Sequence, residues 1–404
     1  MSGMIYQAYQ AHADLAGPFR TVVNAVAPVL WDMRGWLVAR KFSAACQVAA
    51  LARLTHLRPL FGIDSITMGG REVAVHEEAA LVTPFATLLH FKKDLRTSQP
   101  RVLIVAPMSG HFATLLRETV RTMLPDHDVY ITDWHNARHV PLSAGRFGLD
   151  ESIEHIMTFL GAIGPGAHLV AICQPCVTAL AAVAVMSENG HPATPNSLTL
   201  MAGPIDCRIS PTKVNELATM RPIEWFEDNL IGTVPLRHEG AERRVYPGFL
   251  QLTAFMNMNL ERHINSFREL FENLVKGDTE KAEATRKFYE EYFAVADLPA
   301  EFYLETVRLV FQEYALARGK LKWRGKKVDP SAIRRTALLT VEGEKDDICS
   351  LGQTLAAQDL CGKLRQYLKT HYIQAGAGHY GVFSGKRWNN QIYPIVRDVI
   401  HVSD

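Results

Sequence analysis

The order of apolar and polar residues predicts alternating strands and helices along most of the chain. Apolar residues recur at helical spacing from residue 1 to about 60. Strand-like stretches then occupy 62–68 and 72–91, on either side of a Gly-Gly turn. Four continuous apolar runs, each typical of a strand buried on both faces, follow at 101–107, 128–134, 167–173 and 197–203. Helical stretches separate these runs, and the alternation predicts a mostly parallel sheet flanked by helices.

A long helical region interrupts this alternation from about 206 to 320. The stretch 317–330 is basic and contains glycine, so we expect a solvated linker there, with contact to a charged particle surface as the alternative. Its basic residues are Lys320, Lys322, Arg324, Lys326 and Lys327. Strand signals return at 335–343 and 369–376, and a last helix follows. A helical insertion between strands of one sheet is the layout of an α/β-hydrolase fold with a lid.

These features predict four parts. An N-terminal helical segment (1–60) precedes the first part of an α/β-hydrolase core (61–205). A helical lid insertion (206–330) and the second part of the core (331–404) follow. The length of 404 residues is long for one compact domain and agrees with a core that carries an insertion.

Composition narrows the classes of function. A net charge of +1 gives no reason to expect nucleic acid or an anionic membrane as partner. We find no secretion leader and no apolar stretch near the ~20 residues that a membrane span needs. The six cysteines are scattered through the chain, which predicts reduced thiols in the cytoplasm.

A turn with two cysteines, Cys173-Gln174-Pro175-Cys176, joins a predicted buried strand to a helix. An α/β-hydrolase holds its nucleophile on such a turn, and the next N–H helps to bind the oxyanion. A helix N-terminus also favours a thiolate. We therefore expect Cys176 to be the nucleophile and Val177 to donate its N–H. Cys173 is the competing thiol, and a purely structural, redox or half-zinc role for the pair remains an alternative.

The other members of a triad should follow in the order acid, then histidine. Asp346 comes directly after the strand at 335–343, with Asp347 as the alternative, and an isolated carboxylate could equally be a solvated turn residue. His379 lies in a loop of glycine and alanine past the strand at 369–376, where glycine lets the backbone bring an imidazole over the nucleophile. A surface histidine is the alternative reading of this position.

The second oxyanion donor should come from the loop after the strand at 101–107. Met108 or Ser109 would supply a backbone N–H, and His111 either lines the same pocket or starts a helix. His135 and His139 are spaced like a metal pair, but they lie in a loop with no glutamate between them. We expect no metal and no cofactor.

These residues together resemble the intracellular poly(3-hydroxybutyrate) depolymerase family over roughly 60–404. The motifs that carry the resemblance are RVLIVAPMSGHFATLLRETV, DVYITDWHNARHVPL, the Cys-Gln-Pro-Cys turn, LTLMAGPIDCRISPT and GAGHYGVFSG. The resemblance implies a Cys-Asp-His triad at Cys176, Asp346 and His379, and it accounts for Gln174 where other elbows have glycine. It also implies a polyester substrate in cytoplasmic storage granules.

The resulting expectation is ester hydrolysis through a thioester acyl-enzyme, releasing 3-hydroxybutyrate monomer or oligomers at the granule surface. Coenzyme A is an alternative acyl acceptor to water, because the acyl-enzyme is already a thioester. A polyhydroxyalkanoate synthase-like acyltransferase and a non-catalytic granule protein are the alternative functions. A homo-oligomer is compatible with the sequence.

Overall fold

The computed structural model describes Tyr6, Tyr9 and residues 37–51, 53–95, 98–258 and 260–404. The helix predicted for residues 1–60 therefore lies largely outside the described residues. Inside them, helix α1 spans Leu37–Leu51.

One nine-stranded sheet forms the centre of the molecule. Its strands are β1 (Ser65–Met68), β2 (Arg71–Val82), β3 (Ala86–Lys93), β4 (Arg101–Val105), β5 (Asp128–Trp134), β6 (His168–Ile172), β7 (Ser197–Met201), β8 (Ala337–Gly343) and β9 (Lys369–Gln374). They lie in the order β1-β2-β3-β5-β4-β6-β7-β8-β9. β1, β2, β3 and β5 pair antiparallel, and every pair from β5 to β9 is parallel. This arrangement confirms the predicted α/β-hydrolase fold.

The central strands are the continuous apolar runs of the sequence. Every residue of β6, β7 and β8 is buried, because helices cover both faces of a parallel sheet. The helices of the two core parts are α2 (Arg117–Met123), α3 (Leu149–Ile163), α4 (Cys176–Glu188), α11 (Ala356–Leu360), α12 (Gly385–Arg387) and α13 (Tyr393–Ser403). The nine strands and these helices, apart from α12, pack around one continuous apolar core.

The chain between β7 and β8 lies outside the central sheet. Its helices are α5 (Lys213–Thr219), α6 (Ile223–Leu230), α7 (Gly248–Met258), α8 (Leu260–Lys276), α9 (Thr279–Tyr292) and α10 (Ala300–Glu305), the last continued by a π-helical turn, Thr306–Gln312. A small sheet of Gly232–Thr233, Arg244–Tyr246 and Leu298–Pro299 also lies here, where we expected helix almost throughout. Strands of two or three residues are too short to show an alternation of apolar and polar residues, so the sequence did not predict them. The limits of the four predicted parts of the chain stay predictions.

Two contacts tie this insertion to the core. Glu291, at the end of α9, is buried and accepts hydrogen bonds from the Thr114 hydroxyl and, at 3.0 Å, from the Arg117 guanidinium. The backbone N–H of Asp297 donates to Oδ1 of Asn136 at 3.0 Å, and the Asp297 carbonyl accepts the Ala137 N–H at 3.0 Å. The insertion is therefore anchored close to the loops that follow β4 and β5.

The basic stretch 317–330 is a hairpin, and the expectation of a linker was wrong. Lys322–Trp323 pairs with Lys326–Lys327. The Trp323 indole donates to the Asp150 carbonyl at 3.2 Å, and the Arg324 guanidinium pairs with Glu154. Because these bonds attach the hairpin to α3, its cationic residues are not a freely moving chain. No helix among the residues that the structure describes is long and apolar enough to cross a membrane.

Candidate active site

The turn between β6 and α4 is a strained elbow with Cys173 at its apex. Cys173 directly follows the last residue of β6 and has φ = +66°, a conformation that side-chain-bearing residues rarely adopt. Its N–H donates to the Met201 carbonyl at 2.8 Å, and its carbonyl accepts the Cys176 N–H at 3.1 Å. Such strain costs about 1–3 kcal/mol and persists where the surrounding structure imposes it.

Cys173, His379 and Asp346 come together at the carboxyl ends of three parallel strands, β6, β9 and β8. The Nδ1 atom of His379 lies 2.8 Å from Oδ2 of Asp346. The Cys173 thiol interacts with the same imidazole. Because Nδ1 faces the carboxylate, Nε2 is the ring atom available to the thiol. The order thiol, imidazole, carboxylate is the arrangement in which a base activates a nucleophile and an acid orients the base.

Backbone hydrogen bonds hold the Asp346 carboxylate in place. Its Oδ1 accepts the N–H groups of Ile348 at 2.9 Å and Cys349 at 2.8 Å, which leaves Oδ2 for His379. Asp346 is buried, as the sequence reading of a catalytic acid requires. A carboxylate bonded on both oxygens cannot rotate, so the tautomer and direction of the imidazole are both set.

The surroundings of His379 also determine its charge. Burial lowers the pKa of the ring, but the Asp346 carboxylate and the Cys173 thiol raise it more, so the pKa lies well above its usual range. These two neighbours therefore favour the protonated form of the ring. Because the folded pKa exceeds the unfolded one, this proton stabilises the fold fully below pH ~6.5, and the stabilisation is lost as pH rises through the folded pKa.

Cys176, the nucleophile that we expected, lies at a different place. It is the first residue of α4, it is fully buried, and its Sγ contacts the carbonyl oxygens of Ala171 at 3.3 Å and Met201 at 3.6 Å. Burial raises the pKa of this thiol well above its usual range. His379 is not among its partners within the described part of the chain. Val177 is buried one residue further into the helix, so the geometry does not support either assignment.

A glycine just after the neighbouring strand β7 explains how the elbow fits without glycines of its own. A Cβ atom on Gly203 would lie 2.2 Å from Cβ and 2.3 Å from Sγ of Cys176. The first turn of α4 therefore packs directly against the backbone that follows β7. Nucleophile elbows usually obtain this space from their own glycines. Here Gly203, almost 30 positions away in the sequence, provides it.

The loop after β4 lies beside the elbow. β4 and β6 are parallel neighbours with Val105 opposite Ala171, so both chains leave the sheet at the same edge. Met108 is buried and Ser109 is half-buried. Gly110 has φ = +89°, and its carbonyl accepts the Ala296 N–H at 2.9 Å. The insertion thus fixes the backbone of the loop that should carry the second oxyanion donor.

His111 joins this loop to the insertion. It is buried, and its Nε2 lies 3.1 Å from the Tyr292 carbonyl. Burial lowers the pKa of its ring to about 4, so the imidazole is neutral and donates to that carbonyl. Its ring is oriented toward α9, and we interpret His111 as an anchor of the loop.

Comparison with known proteins gives the chain its family. A family model described as the C-terminus of PHB depolymerase matches residues 202–404, half of the chain, including Asp346 and His379. The chain belongs to the PHB depolymerase family. The enzyme is therefore a carboxylic ester hydrolase, as the order of its site residues predicted. No curated protein matches the chain.

Among solved structures, the enzyme is similar to several hydrolases. The 2-hydroxy-6-oxo-6-phenylhexa-2,4-dienoate hydrolase of Rhodococcus sp. strain RHA1 is 14% identical, with 81% of this chain and 99% of that chain covered and a TM-score of 0.44. The Paleococcus ferrophilus monoacylglycerol lipase is 12% identical, with 76% and 97% covered and a TM-score of 0.41. A thermophilic esterase from Thermogutta terrifontis is 14% identical, with 83% and 98% covered and a TM-score of 0.39.

An aromatic path leads from the surface of the enzyme to its site. Phe288, on α9, is 41% exposed and stacks on Tyr292 with ring centroids 5.4 Å apart. Tyr292 in turn lies 5.2 Å from His111 and packs in one apolar cluster with Tyr380, the neighbour of His379. The insertion therefore contacts both the β4 loop and the histidine loop, as a lid over the site would.

One of the two histidines spaced like metal ligands, His135, is held by hydrogen-bond partners in the protein. His135 uses both ring nitrogens, with Nδ1 3.0 Å from the Pro84 carbonyl and Nε2 2.9 Å from the Thr87 hydroxyl. Within the described residues no group of three or more histidine, cysteine, aspartate or glutamate side chains could hold a metal ion.

One sequence signal pointed to Cys173. It ends the apolar run 167–173, and a nucleophile elbow lies directly at the end of its strand. The helix start favoured Cys176 in the sequence, although Gln174 and Thr178 stand where an elbow around Cys176 would have glycine. By its position at the strand end, Cys173 is the thiol that interacts with His379.

Proposed function

We propose that this enzyme hydrolyses the ester bonds of poly(3-hydroxybutyrate) with Cys173 as nucleophile, His379 as acid and base, and Asp346 as the residue that orients His379. The observation that supports it most is the strained Cys173 elbow facing an imidazole whose other nitrogen lies 2.8 Å from Asp346. Family membership supports the polyester as substrate.

In the first half-reaction the Cys173 thiolate attacks the ester carbonyl carbon. The carbon–oxygen ester bond breaks, and His379 gives its Nε2 proton to the departing alcohol. The acyl group is then held as a thioester on Cys173. In the second half-reaction His379 takes a proton from water, the hydroxide attacks the thioester, and Cys173 leaves as thiolate.

Two backbone N–H groups would bind the oxyanion. With Cys173 as nucleophile, the residue after it is Gln174, which replaces Val177 in this role. Met108 or Ser109, in the loop beside the elbow, supplies the second donor. Each such donor contributes roughly 3 kcal/mol to the transition state in enzymes of this kind.

A helical layer formed by helix α1 and the lid is the surface that we assign to the polymer granule. Helices α1 and α8 pack against each other. Together with α9 they expose five large apolar side chains to solvent: Val38, Phe42, Leu260, Ile264 and Phe288. A solid polyester is an apolar partner, and an exposed apolar patch is what such a partner binds. The aromatic path from Phe288 to His111 connects this layer to the site.

The second acyl acceptor is coenzyme A. Transfer from the Cys173 thioester to another thiol exchanges one thioester for another and is nearly balanced in free energy, whereas transfer to water is downhill. Incubation of the enzyme with amorphous polymer and coenzyme A should then yield 3-hydroxybutyryl-coenzyme A beside the free acid. Free hydroxy acid alone would remove thiolysis from the proposal.

Trapping the acyl-enzyme tests nucleophile, chemistry and substrate together. Amorphous poly(3-hydroxybutyrate) is mixed with the enzyme, the reaction is quenched in acid, and the peptides are mapped by mass. A 3-hydroxybutyryl thioester on the peptide containing Cys173 is expected, and fragmentation assigns it to Cys173 or Cys176. Polymer growth from 3-hydroxybutyryl-coenzyme A would favour a synthase, and unchanged granule turnover by Cys173→Ala would favour a non-catalytic granule protein.

A further inference from the structure

A carboxamide beside the nucleophile lacks the hydrogen bonds that burial demands. Both amide atoms of Gln174, Nε2 and Oε1, are buried, and neither bonds to any residue that the structure describes. A buried polar group without a partner costs about 1–3 kcal/mol. Gln174 is also the residue directly after Cys173, whose φ of +66° marks a strained turn.

Other glutamines near the site are bonded to the protein. Gln353 donates to Asn215 at 2.9 Å and accepts from the Cys349 thiol at 3.5 Å. Gln374 donates to Gln391 at 2.6 Å and accepts from the Tyr372 hydroxyl at 3.0 Å. Each of these amides holds two segments together, whereas Gln174 holds none.

Covalent geometry places the Gln174 amide within reach of a group bound at Cys173. Consecutive Cα atoms are ~3.8 Å apart, and a glutamine amide extends roughly 5 Å from its Cα. In a 3-hydroxyacyl group the 3-oxygen lies three bonds from the carbonyl carbon that the sulfur attacks. The backbone N–H of Gln174 faces the oxyanion in the proposed mechanism, so the side chain is free to bind the acyl portion.

We infer that the Gln174 carboxamide recognises the free 3-hydroxyl of the acyl unit at the hydroxyl end of a polymer chain and makes the enzyme selective for 3-hydroxyacyl esters; this rests on the proposed function. The amide of a glutamine offers N–H donors on Nε2 and an acceptor, Oε1. A hydroxyl is also both donor and acceptor, whereas an ether oxygen can only accept and an unsubstituted acyl chain can do neither. A site with a buried polar group discriminates strongly against the analogue that leaves it unpaired.

Three soluble esters test the inference: p-nitrophenyl 3-hydroxybutyrate, p-nitrophenyl 3-methoxybutyrate and p-nitrophenyl butyrate. The measured quantity is the ratio of kcat/KM for the hydroxy ester to kcat/KM for each analogue. In the unmodified enzyme the ratio to butyrate should exceed ~10, because one good hydrogen bond is worth more than about 1.4 kcal/mol here. The methoxy ester should rank between the two.

Gln174→Met keeps the length of the side chain and removes both polar atoms, so the ratio to butyrate should fall at least tenfold. Gln174→Glu keeps an acceptor and loses the donor, so the ratio should fall less. Gln251→Met is the matched control: the Gln251 stem lies against Gly110 of the β4 loop, where a Cβ would be 2.9 Å from it, and not at the elbow. That variant should leave the ratio unchanged.

An unchanged ratio in Gln174→Met, or an equal fall on all three esters, would overturn the inference and leave a structural role. A starting ratio near one would also overturn it while the proposed function stands. Failure of the unmodified enzyme to cleave these esters and amorphous polymer would overturn the proposed function itself. Thermal melts of each variant identify loss of fold, and Gln174→Glu then decides the question.

Discussion

Single alanine substitutions at Cys173 and Cys176 separate the two thiols of the elbow. In Cys173→Ala the proposed nucleophile is gone, and kcat should fall by ~10⁴–10⁶-fold, equivalent to about 5–8 kcal/mol in the activation barrier. In Cys176→Ala the catalytic groups remain in place. The activity of that variant should stay within roughly tenfold of the unmodified enzyme, because only packing beneath the elbow changes.

Cys176→Ala should lower the stability of the folded protein. The thiol is fully buried and contacts the carbonyls of Ala171 and Met201, so its loss removes buried area and leaves a small cavity. We expect the free energy of unfolding to fall by about 1–2 kcal/mol. In a chain of 404 residues this lowers Tm by roughly 1–3 °C. Cys361→Ala, another fully buried cysteine, is the matched control and should show a similar loss of stability.

Hydrolysis of p-nitrophenyl 3-hydroxybutyrate and of amorphous polymer measures activity, and thermal melts measure stability. Limited alkylation with iodoacetamide adds a third measurement, since partly exposed Cys173 should react before buried Cys176. An inactive Cys176→Ala that still melts near the temperature of the unmodified enzyme, together with an active Cys173→Ala, would refute the assignment.

Three further predictions concern packing, pH and the polymer surface. Gly203→Ala places a Cβ 2.2 Å from that of Cys176, so thermal melts should show the free energy of unfolding fall by at least about 1–3 kcal/mol. Adding Cys176→Gly should restore part of that loss. If the effects of the two substitutions simply add, the proposed contact is contradicted. Burial lowers the pKa of His127 to about 4, so the free energy of unfolding should fall by up to roughly 3 kcal/mol as pH falls from 6.5 to 4 and the unfolded state gains a proton that the folded state resists. His127→Phe should flatten that part of the plot of stability against pH. An unchanged slope in this variant would contradict the prediction. Phe288→Ser should slow hydrolysis of amorphous granules ~3–10-fold relative to hydrolysis of the soluble ester, because about 1 kcal/mol of apolar contact with the polymer is lost. Val402, which is 88% exposed on α13, provides the control, and Val402→Ser should leave both rates unchanged.

Local patterns were enough to predict the central sheet. The apolar runs that became β4, β6, β7 and β8 must be covered on both faces, and only a parallel sheet between helix layers provides that cover. The short strands of the insertion were not predictable, because two or three residues carry no periodicity. The hairpin at 317–330 was missed because its stability comes from the partners Asp150 and Glu154, far away in the sequence.

The sequence by itself determined the class of chemistry in the candidate site. A thiol, Asp346 and His379 each follow a strand of one parallel sheet, and the carboxyl ends of such strands meet at one edge, so these groups had to lie near each other. Only the tertiary structure decided which thiol meets the imidazole. That choice depends on the positive φ of Cys173, which directs its side chain toward His379, and on the space at Gly203 that accommodates Cys176 beneath the elbow. Both arise from packing between segments distant in sequence, which no local pattern records.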